Sequence, residues 1–337
     1  MAQPYSTVNA PDSALQYLLP THYDDLLLTE AQEKFVLYNL VDAKPLPKNS
    51  GNVIKWSRYT LLGPVNQATI GTAPTPTALS AVNVTGTLIQ FLGSTTTADV
   101  LEMTAIDPQI ESAVRELSYQ AANTIDTYIR NVMIGLTGGV SSTNQNVGAP
   151  FGNSNGSLIH DIPTSLNTLT LSALTKSTHK TTIAAVQDEV SYLRNLNAPT
   201  FGDGFYYGVL HPNIETAIMQ DSTAVTSWAA WNAGVQYGIE KMERGYVGVI
   251  AGVKFWRSTN MWLHNSGTGA STSAYYSPIF GPGAVGVVDI DGGVKTYVVQ
   301  GADHSNPGAQ WSTITWKITT AAAVLNPSFG IIMISTT

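Results

Sequence analysis

"DPQIESAVRELSYQAANTIDTYIRNVMIGL", residues 107–136, reads as one unbroken helix. Ile110, Val114, Leu117, Ala121, Ile125, Tyr128, Val132 and Leu136 recur every three or four residues, the period of a single helical face. Asp107 suits the N-cap, and Pro108 suits the first helical position, where a missing N–H costs nothing. Gly135, Gly138 and Gly139 end the run. A helix of about thirty residues spans about 45 Å, against ~30 Å for a small domain. Its apolar stripe is therefore expected to outrun its own domain and to reach onto neighbouring chains.

The elements around it point the same way. "NVIKWSRYTLL" (52–62) is rich in β-branched and aromatic residues, with Ile54, Trp56 and Arg58 on one face and Val53, Lys55 and Tyr59 on the other. "LSAVNVTGTLIQFLG" (79–93) alternates in the same way and predicts the returning strand of a long hairpin, with arms of roughly 33 Å at ~3.3 Å per residue. Its tip, 63–77, carries prolines and glycines and has no regular period. Two strands alone are marginal in water, so the hairpin too asks for an outside surface. Residues 1–20 carry Pro4, Pro11 and Pro20 and read as an extended arm; 21–40 reads as a helix. Further on, 181–196 predicts a second amphipathic helix through Ile183, Val186, Val190 and Leu193. "FYYGVLHP" (205–212) predicts a strand, "NIETAIMQD" a short helix, and "GYVGVIAGVKFWRS" (245–258) strand, turn, strand. Strands at 276–290, 294–300 and 311–334 complete the chain. No βαβ rhythm appears, so the fold class is α+β.

Composition narrows the function. Of the 337 residues 43% are hydrophobic but only 12% charged, about half the usual ~25%. A surface poor in charge is easily buried against neighbours. The net charge of −7 argues against a general nucleic-acid binder, which needs a basic face. Residues 1–43 hold Asp12, Asp24, Asp25, Glu30, Glu33 and Asp42 against Lys34 alone, so the N-terminus is no basic arm. With no cysteine, disulfides, thiolate catalysis and Cys-ligated zinc are excluded. The opening residues lack the pattern of a signal peptide, and no apolar run approaches the ~18 residues of a membrane span.

Motifs of chemistry fail in context. "GNSNG" (152–156) matches a nucleophile elbow at Ser154, but a polar loop stands where the buried strand should be. "GPGAVG" (281–286) matches a dinucleotide fingerprint, but strand-like "VVDI" follows in place of a helix, so a turn is expected. "DIDGG" (289–293) lacks the closing Glu of a calcium loop and reads as a hairpin turn. The six histidines are scattered. No catalytic residue, metal ligand or cofactor site is expected.

The order of arm, long hairpin, long helix, second helix and mixed lobe resembles the major capsid (coat) proteins of tailed bacteriophages, which share the Hong Kong 97-type fold. "AKPLPKNSGNVIKWSRYTLLGP" looks like the start of that family's extended loop, and "TAIDPQIESAVRELSYQAANTIDTYIRN" like its spine helix. "YYGVLHPNIETAI", "GYVGVIAGVKFWRS" and "WKITTAAAVLNPSFGIIMI" resemble further family segments. The resemblance implies an N-terminal arm (1–51), an extended loop (52–100), a peripheral domain with the spine helix (101–180), an axial domain (181–300), and C-terminal strands returning to the peripheral domain (301–337). It implies a non-enzymatic subunit that self-assembles into the pentamers and hexamers of an icosahedral head around double-stranded DNA. The partners implied are further copies of the chain, a separate scaffolding protein, a portal and a cement or decoration protein, with packaged DNA touched weakly and no membrane. The implied setting is the virion, assembled in the bacterial cytoplasm. Candidate inter-subunit contacts are Trp56, Arg58, Tyr59 and Ile70 on the loop and Trp228 and Trp231 in the axial lobe. Two other readings stay open: a nanocompartment shell of the same fold, and a secreted β-rich glycan-binding protein.

Overall fold

The computed structural model describes residues 27, 36–46, 51–59, 62–65, 67, 71, 76–104, 109–135, 159–161, 181–220, 246–261, 263–265, 273–290, 293–299 and 306–335. In chain order these form α1 (Leu37–Leu40), β1 (Asp42–Leu46), β2 (Val53–Tyr59), β3 (Ala81–Thr87), β4 (Ile89–Ala98), α2 (Asp99–Thr104), α3 (Gln109–Ile134), β5 (Ile159–Asp161), α4 (Ile183–Asn195) and β6 (Tyr206–Leu210). There follow α5 (Pro212–Gln220), β7 (Tyr246–Ile250), β8 (Val253–Arg257), β9 (Leu263–Asn265), β10 (Ser273–Phe280), β11 (Val285–Ile290), β12 (Lys295–Val299), β13 (Trp311–Val324) and β14 (Gly330–Ser335).

β13 organises a first sheet of five strands. Its alternation sends Ile314, Trp316, Ile318 and Thr320 into the core, while Thr313, Thr315, Lys317 and Thr319 stay half-exposed. β4 pairs antiparallel with residues 311–320 along one edge. β12 and then β11 line the other edge, and β1 adds in parallel to β11. The second sheet runs β5-β14-β10-β6-β8-β7, with β9 on β10. Its strands are apolar on both faces, as in "IIMI" (331–334), because both faces are covered. Ile331, Met333, Ile279, Phe255 and Leu210 pack with Val186, Val190 and Leu193 of α4 and Ile214 and Ile218 of α5. Their neighbours Ile332, Ile334, Phe280, Trp256 and Val209 turn to the other side, into the core of the long helix.

That double cover corrects the expectation for the long helix. Ile110, Val114, Leu117, Ala121, Ile125 and Tyr128 are all buried, and Val132 is half-buried, within one chain. A single sheet would not cover a helix of 26 residues, but two sheets feed one core around it. The stripe therefore needs no neighbour. The expected caps at 107 and 108 and the last predicted residue, Leu136, lie outside the described residues.

Polar ties fix the helix within that core. Asp126 is buried, and its carboxylate accepts from the N–H groups of Val36 (2.8 Å), Leu37 (3.3 Å) and Tyr38 (3.1 Å) at the start of α1. The Tyr128 hydroxyl accepts from Ala322 N–H (3.1 Å), two residues past the last β4 pair. Gln120 Oε1 accepts from the Trp316 indole (3.0 Å) across Gly93, where a Cβ would stand 2.4 Å from both groups. Arg130 donates to the Asn260 carbonyl (2.5 Å), and the Asn260 amide donates to Thr127 Oγ1 (2.8 Å). Burial lowers the Arg130 guanidinium to about 10.

Two expectations about strand partners change. The hairpin is shorter than its apolar run: β2 pairs β3 over 53–59 and 81–87, and the chain then passes Leu88 and joins β13 as β4. The alternation continues through Leu88, so periodicity does not mark the switch. The DIDGG stretch is no hairpin turn: the strands before and after it, β11 and β12, both pair β13 and not each other. GPGAVG is a turn, as expected, with Gly283 at φ +71° leading directly into β11.

Candidate assembly surface

The β2–β3 ribbon stands on β13 and the turn after it. On its inner face Ile54, Trp56 and Arg58 are half-buried; on the outer face Val53, Lys55, Ser57 and Tyr59 are exposed. The Trp56 ring lies against Gly86, where a Cβ would come within 2.7 Å of it, and Ala321 lies just beyond. The Arg58 guanidinium donates to the Asn326 side chain, whose oxygen also accepts from Ser328 N–H (3.2 Å). The root is closed by Leu88 N–H donating to the Asn52 carbonyl (3.0 Å). Tyr59 is 66% and Val65 91% exposed, with Leu62 and Leu79 exposed beside the loop. So Trp56 and Arg58 anchor the ribbon to its own chain while keeping some open surface, and Tyr59 faces solvent. Ile70, Trp228 and Trp231 lie outside the described residues.

The anchor gives a first prediction. Gly86→Val should lower the melting temperature of the isolated chain by several degrees, because a branched side chain has no room under the Trp56 ring; on the order of 1–3 kcal/mol is expected. Combining it with Trp56→Ala should recover part of that loss, measured by thermal unfolding. Strict additivity of the two would show that the ring does not sit on this glycine.

A second open surface is the face of the first sheet that points away from α3. Across β4, β13 and β12 it reads in rows: Thr96, Thr313 and Val299; Ser94, Thr315 and Tyr297; Leu92, Lys317 and Lys295. Leu92 is 63% and Tyr297 49% exposed, and Trp311 stands opposite Ala98 at the end of the row. Beside it, Val100, Leu101 and Met103 of α2 are exposed too.

Charge is divided sharply along the chain. Between Asp42 and Asp99 there is no carboxylate, only Lys44, Lys48, Lys55 and Arg58. Ion pairs elsewhere brace the second sheet: the Arg257 guanidinium grips Glu215 through two bonds (2.6 and 2.5 Å), joining β8 to α5, and Lys254 binds Asp203. Glu215 holds the Arg257 guanidinium above its ordinary value, and the contacts of Asp203, led by Lys254, hold its carboxyl below the usual range despite some burial. Burial beside the Tyr275 ring lowers His211. Among the described residues no three His, Asp or Glu side chains gather as metal ligands, and no helix is long and apolar enough to cross a membrane. Ser154 lies outside the described residues.

Sequence reasoning missed the polar residues that lock the helix. Asp126 sits four residues after Ala122 and three before Ile129, inside the buried stripe. An acid at an apolar position of an otherwise regular pattern is the signal that could have found it.

The sequence matches no protein-family model and no curated protein sequence. In structure the chain is similar to the capsid of Ralstonia phage GP4, at 13% identity over 88% of this chain and 87% of that one, with a TM-score of 0.70. It is similar to the acid-stable capsid of Helicobacter pylori bacteriophage KHP30, at 13% identity over 89% and 91%, TM-score 0.59. It is also similar to a virus-like particle from Pyrococcus furiosus, at 9% identity over 93% and 98%, TM-score 0.51. At such identities the likeness is one of fold: the chain has the α+β capsid fold expected from its sequence.

Proposed function

We propose that the chain is the structural subunit of an icosahedral phage head, assembling into pentamers and hexamers around double-stranded DNA and catalysing nothing. The observation that carries this reading is the β2–β3 ribbon. It projects exposed apolar residues from a chain whose 26-residue helix is covered, among the described residues, by its own two sheets. A two-stranded ribbon is marginal alone, and its exposed Val53 and Tyr59, with Leu62 and Val65 beyond it, are completed by a neighbour's surface.

On this reading residues 1–51 form the arm, 52–100 the extended loop, 101–180 the peripheral domain, 181–300 the axial domain and 301–337 the returning strands. Tyr59 and Ile70 meet the adjacent subunit, the open sides of Trp56 and Arg58 support that contact, and Trp228 and Trp231 act in the axial lobe. A separate scaffolding protein, a portal and a decoration protein are the further partners, and the setting is the virion, built in the bacterial cytoplasm. Packaged DNA is touched weakly, since a net charge of −7 repels phosphate and leaves the genome mobile.

The test is direct. The purified chain, alone or with its scaffold, should give shells or five- and six-membered rings by light scattering and negative stain. A species that keeps the mass of one chain under all assembly conditions would remove the proposal. Shells that form with a cargo protein inside, in cells with no phage genes, would favour the nanocompartment reading.

A further inference from the structure

We propose that strand β4 is a docking edge for a second copy of itself, two chains joining antiparallel across a two-fold axis into one continuous sheet. The inference rests on the shell reading and adds to it a symmetric contact that uses neither the ribbon nor the N-terminal arm.

β4 stands at the margin of the first sheet. Among the described residues it pairs with β13 alone. Its register runs without a shift from Ile89 opposite Thr320 to Ala98 opposite Trp311. In an antiparallel pair every second residue turns its N–H and C=O away from the partner strand. The outer edge of β4 therefore presents a row of backbone donors and acceptors. Proteins guard such edges with charges, prolines, bulges or very short strands. The other sheet margins here are guarded in this way. β1 carries Lys44 and Pro45, β12 has five residues and carries Lys295, β7 has an irregular register between Tyr246 and Gly248, and β5 and β9 have three residues each. β4, "IQFLGSTTTA", has ten residues with no charge, no proline and no bulge.

Such an edge asks for a strand, and a second β4 suits it. The two match in length, and a strand without charge meets itself without repulsion. The contact also closes: each copy completes the other's edge and leaves none over, where a head-to-tail pairing would grow into a fibre. β3 is uncharged too, but it has seven residues and already pairs β2, which brings Lys55 and Arg58. The two-fold fixes the register. An axis perpendicular to the sheet keeps each side chain on its own face, so opposed residues must share a face and the axis passes through a residue. At the middle of β4 that residue is Gly93, which faces Trp316 and Gln120, or Ser94, which is exposed on the open face in the row of Thr315. The two Ser94 side chains then lie about 5 Å apart, or ~7–8 Å apart as diagonal neighbours. Leu92, 63% exposed, comes opposite Ser94 or Thr96 of the other copy.

Because the chain has no cysteine, one substitution reports the symmetry. Full-length Ser94→Cys is assembled and treated with a short bismaleimide. The expected product is a band of doubled mass on a denaturing gel, which a single cysteine gives only where two copies of the same residue meet. Ser94→Lys sets like charges across the axis and should cut the yield of shells about ten-fold, while mixing it with Ser94→Glu chains should restore that yield. Ser94 is exposed, so the melting temperature of either variant should stay within a few degrees of the natural chain. Shells without the Ser94–Ser94 band would overturn the inference and leave the shell reading standing. So would full assembly of Ser94→Lys, or a loss that Ser94→Glu chains do not rescue. A band between Ser94→Cys and Asn83→Cys chains, with none from Ser94→Cys alone, would put a neighbour's ribbon on this edge and overturn it as well. Chains that scatter as single copies under all assembly conditions would defeat the shell reading itself, and this contact with it.

Discussion

Asp126→Ala is expected to destabilise the isolated subunit by about 3 kcal/mol. The substitution leaves three N–H donors, those of Val36, Leu37 and Tyr38, facing a cavity. Each buried donor without a partner costs about 1–3 kcal/mol, and the loss is not the full sum because water enters. A refund opposes it. Burial is the largest influence on the carboxyl and raises it to about 6, against the lowering pull of the three N–H groups. A carboxylate raised above its unfolded value contributes stability that is full below the ordinary carboxylate range and is lost as pH rises through about 6. Asp126→Asn keeps an acceptor and cannot titrate, so it isolates that term. The stability of the natural chain relative to Asp126→Asn should fall between pH 4 and pH 7 and level off above, by on the order of 3 kcal/mol. Urea unfolding at a series of pH values measures this. A difference that grew with pH over that window would mean the carboxylate is stabilised in its charged form, contrary to its burial.

The local features of this chain were legible in the sequence, and the partnerships were not. The stripe from Ile110 to Tyr128 was readable because helical period and burial are the same fact seen twice. The faces of β2 were readable too, since Ile54, Trp56 and Arg58 alternate with exposed neighbours as a two-residue period requires. What covers the helix was not readable. An apolar stripe says that something packs on it, and the second sheet does so through residues far away in sequence, such as Trp256 and Ile332. Strand partnership failed for the same reason. Nothing in Leu88 announces that β3 serves β2 while β4 serves β13, and nothing in β11 and β12 announces a shared edge of β13. The exposure of Tyr59 on the outer face of β2 was found from the pattern. The facing lysines were invisible until register placed Lys295 opposite Lys317.

Deleting residues 64–76 should leave a folded subunit that no longer builds shells. Folding should survive because the loop's anchors lie outside the deletion: Trp56 on Gly86, Arg58 on Asn326, and the Leu88–Asn52 bond. Shortening a connection also lowers its closure entropy, by only about 0.6 kcal/mol per halving, so no penalty arises there. The melting temperature should stay within a few degrees of the natural chain. Assembly has no such insurance. On the proposed reading, the deletion removes Val65, 91% exposed, and Ile70, and with them an apolar contact that the shell would repeat at every copy of the interface. Each buried side chain of this size is worth about 1.5–3 kcal/mol, and a shell multiplies the loss over all its subunits. The yield of shells by sedimentation should fall at least about ten-fold, since 1.4 kcal/mol per contact already shifts each association constant by that factor. Full assembly of the shortened chain would show that the ribbon's tip is a bystander and that the contacts completing it lie elsewhere, on the sheet face of Leu92 and Tyr297 or on α2.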